Sequence, residues 1–487
     1  MNPNTPILVG AAQLQHRINS LDDVIEPLDL MMRACREAEE DTGVKLLSRV
    51  QSVRVVRGMW SYENPARYIA ELIDAPGAQT AGTLFGGNYN QVVVNETAAS
   101  ILAGELDLVL ITGAEIGYSM AKARKAGSRI EMRDVPGNID LLFGESQRSE
   151  HHEFEMAKGI QTAIQVYPMY ENAIRFHRGE SLQAHIERVS GLWSRFSDVA
   201  GKNPHAWIRK SVSAEVIRTV SESNRAVSFP YTKLMNSNNA VDMAAALIMC
   251  SVEKAMQLSI PEHLWIYPHA GVEGRDHFCA SVRDNFYSSP GIRLVGQRLF
   301  ELTGIDASDL EYVDLYSCFP SAVQIAAEEL GLAEDRDLTV TGGLTFGGGP
   351  LNNYVMHSIA RMVELLRQNP ESRGLITANG GNLYKHAHCI YSGQPPAKDF
   401  QRDNVQDHID ALPARECLPE FTGKVSVESY TVMYADGQPN IAHVACLTQD
   451  GQRVWVNSDD KDLMQSMISE EFCGRDARIN GGIITVY

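Results

Sequence analysis

Two glycine clusters stand where backbone, rather than side chain, is offered to a ligand. Gly86-Gly87 precedes a helical pattern in which Val94, Ala98, Ile101 and Leu102 fall at i, i+4, i+7 and i+8. Far downstream, GGLTFGGGP (342–350) precedes a second pattern carrying Val355, Ile359, Met362 and Leu366. Each helix start leaves N–H groups without intrahelical partners, and a glycine turn lets a carbonyl oxygen or an anion reach them. Neither cluster has the Lys-Ser/Thr of a P-loop or the GxGxxG spacing of a dinucleotide loop.

Reactive side chains are dispersed. Tyr384-Lys385-His386-Ala387-His388 offers His386 as a general base or anion contact; the plainer alternative is a polar loop after a core strand. His386 and His388 have no third ligand nearby, and His151-His152-Glu153 reads as solvated acidic surface, so no metal site is expected. Lys122, Arg124, Lys125 and Arg129 form a basic cluster that either meets phosphates or is a solvated helix face. The eight cysteines are scattered without a CxxC pair, which favours reduced thiols in a cytoplasm over disulfides or structural zinc. None lies between Cys35 and Cys250.

The elements that must position these groups can be read around the clusters. Residues 86–115 give a glycine turn, a helix with Asn88 as its expected cap, a stop at Gly104 and a strand apolar enough to be covered on both faces. Residues 342–381 repeat the order and close on a short strand at 374–377. Two units this far apart indicate an internally duplicated α/β chain, not a solenoid of short repeats.

Around them the pattern predicts strands at 6–13 and 53–57, and helices at 21–41 and 65–73. It continues with helical segments through 117–229, an apolar alanine-rich helix within 230–258, and strands at 264–267 and 312–315. After Tyr391 an exposed, proline-interrupted connection leads to two hairpins turning at Asp436-Gly437 and Asp450-Gly451, a helix at 461–468 and a last strand at 482–487.

At 487 residues the chain calls for two or three domains, and 44% hydrophobic against 21% charged residues supports a large core. A net charge of −18 argues against nucleic acid or an acidic membrane as the main partner. The first residues show no signal-peptide pattern, and no apolar run approaches a membrane span; the longest lies at 243–250.

Four segments together resemble the thiolases: GELDLVLITGAE (104–115), PYTKLMNSNNAVDMAAALIM (230–249), VDLYSCFPSAVQIAAEELGL (313–332) and GGLTFGGGP (342–350). They follow thiolase order across four-fifths of the chain, and the likeness is greatest to thiolase-like proteins of type 1, which carry an extra C-terminal domain. The resemblance implies an α/β thiolase fold: two βαβαβαββ halves in an αβαβα layered core. It divides the chain into a first half (1–116, completed at 230–260), a loop domain (117–229), a second half (261–394), a linker (395–415) and a mainly β domain (416–487).

Its implied activity is acyl transfer of the acetyl-CoA acetyltransferase kind in lipid metabolism, with CoA or an acyl-CoA as ligand and nothing bound covalently. The alternative is an inactive CoA-binding or scaffold protein. Matching the family's motifs puts Gly87 at the nucleophilic cysteine, Gly349 at the activating histidine of Gly-His-Pro, and a residue near Ala378 at the second cysteine. The oxyanion-hole box becomes Tyr316-Ser317-Cys318-Phe319. Ordinary thiolysis is therefore not expected.

The residual candidates are Tyr316, Cys318 and His386 for catalysis, with Gly87, Asn88, Gly349 and Asn379 around the pocket. In this reading Cys318 is either a relocated nucleophile or a small buried residue. The basic cluster at 122–129 would meet CoA phosphates. Thiolases pair through the first half's sheet, and an added domain bears on that pairing, so monomer and homodimer both stay open.

Overall fold

The computed structural model describes residues 1–144 and 150–487. Its first sheet is built on strands rich in apolar and small residues. β1 (Pro6–Gln15), β2 (Ser52–Val55), β3 (Gln79–Thr83), β4 (Leu108–Ile116) and β5 (Leu141–Phe143) are joined by the strand Asp242–Ser251, in the order β1, 242–251, β4, β2, β3, β5. β4 is buried along its whole length, as its continuous apolar run requires.

The alanine-rich segment within 230–258 is this sixth strand and not a helix. It runs antiparallel to both β1 and β4, and only the short helix Val252–Gln257 follows it. Periodicity misleads here because the run is apolar on both sides. The structure resolves a period of two: Ala245, Leu247 and Met249 enter one core, while Ala244, Ala246, Ile248 and Cys250 enter the other. A strand between two strands also pairs its backbone on both edges, which a helix in that place would leave undone on its neighbours.

α1 (Pro27–Thr42) and α2 (Pro65–Leu72) cover the outer face of the first sheet. α1 starts six residues later than the apolar pattern suggests, because Pro27 fixes Glu26 in extended backbone and is itself suited to the first helical position. The residues before it form only the 3₁₀ turn Leu21–Asp23. α3 (Tyr89–Leu102) and its downstream counterpart, the helix Tyr354–Gln368, lie between the first sheet and a second one.

The second sheet runs 312–314, 373–380, 385–392, 267–275, 401–404. Its far face is covered by the helix Pro290–Thr303. The result is the five-layered duplicated α/β core. Two expectations shift within it. The strand expected at 264–267 is Tyr267–Arg275, preceded by a 3₁₀ turn. The expected linker 395–415 instead supplies the strand Gln401–Asn404, parallel to Tyr267–Arg275, and the helix Gln406–Asp410. Residues 117–229 are mainly helical, but they also contribute β5, which pairs in parallel with β3 and covers that edge of the first sheet.

The C-terminal sheet contains the two expected hairpins, Gly423–Ala435 with Gln438–Thr448, and Gln438–Thr448 with Arg453–Ser458. It is fastened to the rest by buried polar contacts. Arg453, fully buried, pairs with Glu428 and donates to the carbonyls of Ala280, Ser281 and Arg283. Ser429 donates to Met169 O at 2.6 Å, on the helix Ala163–His177. That helix lines the central pocket on its other side, so the C-terminal domain braces a pocket wall from behind.

Candidate functional site

A cavity of about 510 Å³ opens where the Gly86-Gly87 turn, the Tyr316–Phe319 turn and the end of the strand Arg373–Gly380 meet. Residues 161–164 and Tyr167 of the loop domain, with Asn236, Ser237 and Asn239, close it.

The centre of the site is a pairing of Gly87 with Tyr316. A Cβ on Gly87 would stand 2.5 Å from the Tyr316 hydroxyl oxygen and 2.5 Å from the backbone oxygen of Asn379. No side chain fits there without moving both. The phenol of Tyr316 thus fills the volume that a side chain on Gly87 would need. Tyr316 is held by a hydrogen bond from its amide to Thr377 Oγ1 (2.9 Å) and by edge-to-face contact with Tyr354 at 5.6 Å. Burial pushes its hydroxyl well above the ordinary tyrosine range, so it acts as a proton-bearing donor.

Cys318 also reaches the pocket, but burial drives its thiol up to about 12, against the partial relief of a hydrogen bond with Tyr167. A thiol so placed stays protonated at neutral pH and is a poor nucleophile. Asn379 donates from Nδ2 to the Tyr167 hydroxyl at 3.1 Å, while that hydroxyl donates to Gly381 O at 3.1 Å. This fixes the amide's orientation and leaves Asn379 Oδ1 buried without a partner.

Gly349 lies behind Asn239 and Leu344, off the pocket lining. A Cβ there would meet Asn239 Oδ1 at 3.0 Å and Leu344 O at 3.2 Å. Asn88 occupies the first position before α3 but makes no capping bond. Its backbone is already helical (φ −71°, ψ −23°), whereas a capping side chain needs extended backbone to fold back onto the helix N–H groups.

His386 is not part of the pocket. Its Nε2 faces Asp276 Oδ2 at 3.1 Å and Ser289 Oγ at 3.4 Å, with the ring 2% exposed. Burial works against the charge on Asp276, but Arg283 and His386 overcome it and hold the carboxyl down at about 2. Ser289 caps the helix Pro290–Thr303. The cluster is a sealed structural network. The segment 384–388, read as a possible polar loop, is mostly the start of the strand Lys385–Ser392. His388 is buried as well, and burial followed by the nearby His386 lowers it to about 3.

The basic cluster does not reach the pocket either. Lys122 donates to Ile18 O at 2.7 Å and sits 4.8 Å from the Tyr118 ring, while Arg124, Lys125 and Arg129 are exposed. The pocket's described lining carries no Lys or Arg. Its one carboxylate, Glu150, is paired with Lys385 at 2.9 Å and bonded by Tyr384. What the lining offers instead is amide: Asn236, Asn239, Asn352, Asn379 and Asn382. Among the described residues no group of His, Cys, Asp and Glu is arranged to hold a metal, and no helix is long and apolar enough to cross a membrane.

Sequence reasoning missed Tyr167, Glu150 and the Asn236-Ser237-Asn239 wall. The asparagine run just before a buried strand was a usable signal, because consecutive amides at the entry to a core must find partners. Tyr167 and Glu150 had none, since tertiary packing alone brings the loop domain to the site.

Comparison with known proteins agrees with this architecture. Residues 404–481 match the thiolase-like protein type 1 additional C-terminal domain. The crystal structure of a monomeric SCP2-thiolase like protein type 1 from Mycobacterium smegmatis superposes with a TM-score of 0.85 at 30% identity, covering 100% of this chain and 99% of that one. An acetyl-CoA acetyltransferase of Methanocaldococcus jannaschii is 25% identical over 300 residues, 58% of this chain and 69% of that protein. A steroid side-chain-cleaving aldolase of Thermomonospora curvata is 29% identical over 182 residues, 34% of this chain and 45% of the aldolase.

Proposed function

The chain belongs to the thiolase-like proteins of type 1, and from that premise we propose that its central pocket binds a CoA thioester without forming an acyl-cysteine. One observation carries the reading: the Tyr316 hydroxyl lies where a side chain on Gly87 would have to be. A hydroxyl that keeps its proton is a donor suited to a thioester carbonyl, and the Cys318 thiol on the described lining also keeps its proton, so it is a poor nucleophile for an acyl-enzyme.

The lining also suits one part of the ligand better than another. Amide side chains match the amide groups of a pantetheine arm, while the lack of Lys and Arg on the described wall gives the phosphates no partner there. In this reading the nucleotide lies outside the pocket and contributes little. A cytoplasmic location goes with it, supported by eight free cysteines, and so does a monomeric state, supported by the covered β3 edge and by the relative whose structure is described as monomeric.

The test is a calorimetric titration with acetyl-CoA, CoA and acetyl-pantetheine. Acetyl-CoA and acetyl-pantetheine are expected to bind with similar affinity, and more tightly than CoA. Failure of both thioesters to bind would overturn the reading.

A second reading, turnover without a covalent intermediate, is favoured by the same hydroxyl. Tyr316 would supply a hydrogen bond to the reacting carbonyl during direct acyl transfer to a bound acceptor. The relative named as an aldolase supports extending this reading to carbon–carbon cleavage. Product release from 3-ketoacyl-CoA or 3-hydroxyacyl-CoA esters, abolished in Tyr316→Phe, separates it from binding alone.

A further inference from the structure

We infer that a second cavity, separated from the pocket by Phe85, receives the acyl chain, so that the ligand is a long or bulky acyl-CoA and not acetyl-CoA. The inference rests on the thioester reading above and names its substrate class. The cavity measures about 890 Å³ and lies over the ends of β2 and β3 and beside β5. Phe85, which follows β3 and precedes Gly86-Gly87, lines both spaces. A thioester whose carbonyl meets Tyr316 therefore has the second cavity one side chain away.

The chemistry of the walls favours hydrocarbon. Trp60, Leu84, Ile130, Met132 and Ile139 line it with Phe85, and the more exposed Met59 and Leu142 line it too. Those two are 56% and 52% exposed, apolar area left to water beside a cavity that would cover it. Arg57 is the sole charged residue on the described wall. It is turned inward, donating to Tyr62 O at 3.2 Å with its guanidinium 5.0 Å from the Trp60 ring. Glu115 accepts from the Met59 amide at 2.9 Å, and burial lifts its carboxyl to about 8, so little charge opposes an apolar occupant there.

The experiment is equilibrium binding of acetyl-, hexanoyl- and dodecanoyl-CoA to the intact protein and to Leu142→Glu and Met59→Glu. Both positions are more than half exposed, and melting temperatures matching the wild type verify that the variants are folded. In the wild type, affinity is expected to rise by up to about fourfold for each methylene taken up. Both variants should flatten that rise and leave acetyl-CoA affinity unchanged. A flat chain-length series in the wild type, with acetyl-CoA still bound, would overturn the inference and leave the thioester reading intact. A rise that neither variant alters would place the chain elsewhere and overturn it too. No binding by any of the three esters would remove the thioester reading and the inference together.

Discussion

Tyr316 and His386 belong to the same half of the molecule, but the pocket around one and the cluster around the other are built on opposite principles. The pocket's described lining is mostly amide and apolar, with one carboxylate, Glu150, paired with Lys385, and one imidazole, His151, and it keeps Asn379 Oδ1 buried without a partner. The His386 cluster is charged and closed: Asp276 takes bonds from His386, Ser289 and the amide of Gly291, with Arg283 at 3.5 Å. An unpartnered acceptor at a cavity suits a ligand, whereas a carboxylate bonded on several sides in a core holds secondary structure together. A histidine two residues from another histidine suggests chemistry in the sequence, yet here it does the structural task.

That contrast predicts a separation of effects. Asp276→Ala leaves Arg283 and Ser289 facing an empty place, and should lower stability by about 3–5 kcal/mol in denaturant titrations. Any protein still folded should bind the thioester normally. A lost affinity at unchanged stability would break the comparison by putting the cluster in the site.

Acid sharpens the same point. The Asp276 carboxyl is depressed in the folded state, so its contribution is present above the ordinary aspartate range and lost as pH falls towards about 2. The loss is on the order of 2 kcal/mol, read as a falling denaturation midpoint. Asp276→Asn should remove that dependence.

Within the pocket the predicted effects are steric first and polar second. Gly87→Cys puts a thiol at the turn but forces it against Tyr316 and the Asn379 backbone, so a cost of about 1–3 kcal/mol is expected, with no gain of thiolysis. Stability equal to the wild type would show that the turn has more room than this packing allows. Tyr316→Phe keeps the ring and deletes the donor. Thioester affinity should fall roughly twofold to tenfold, as for one hydrogen bond, while the melting temperature hardly moves.

The sequence was informative where a local rule and the packing agreed. Gly104, with φ of 73°, ends the first unit's helix just past its C-cap, and the run after it is buried throughout as β4. The hairpins at Asp436-Gly437 and Asp450-Gly451 form as their turn residues require. Legibility failed where one local pattern admits two structures. DMAAALIMCS looks the same as a buried helix and as a central strand until its neighbours are known.

Of the residues singled out in the sequence, Gly87, Tyr316, Cys318 and Asn379 line the pocket; Gly87 and Asn379 lie in or beside glycine pairs, while Tyr316 and Cys318 stood out only through the motif resemblance. The site was not legible at Tyr167, which reaches the pocket from the inserted helix Ala163–His177, or at His386, where burial and a hydrogen bond with Asp276 decide its role. The basic residues 122–129 were conspicuous by charge alone, and charge on an exposed helix says nothing about direction.

The most direct test of the account is the intact mass of the protein after incubation with acetoacetyl-CoA, at concentrations where calorimetry shows the pocket filled. Bound thioester with no change in protein mass is the predicted result, because the Tyr316 hydroxyl fills the space beside Gly87 and the Cys318 thiol keeps its proton. A mass gain of one acetyl group, mapped to Cys318, would contradict it and return the protein to covalent acyl transfer by a different cysteine.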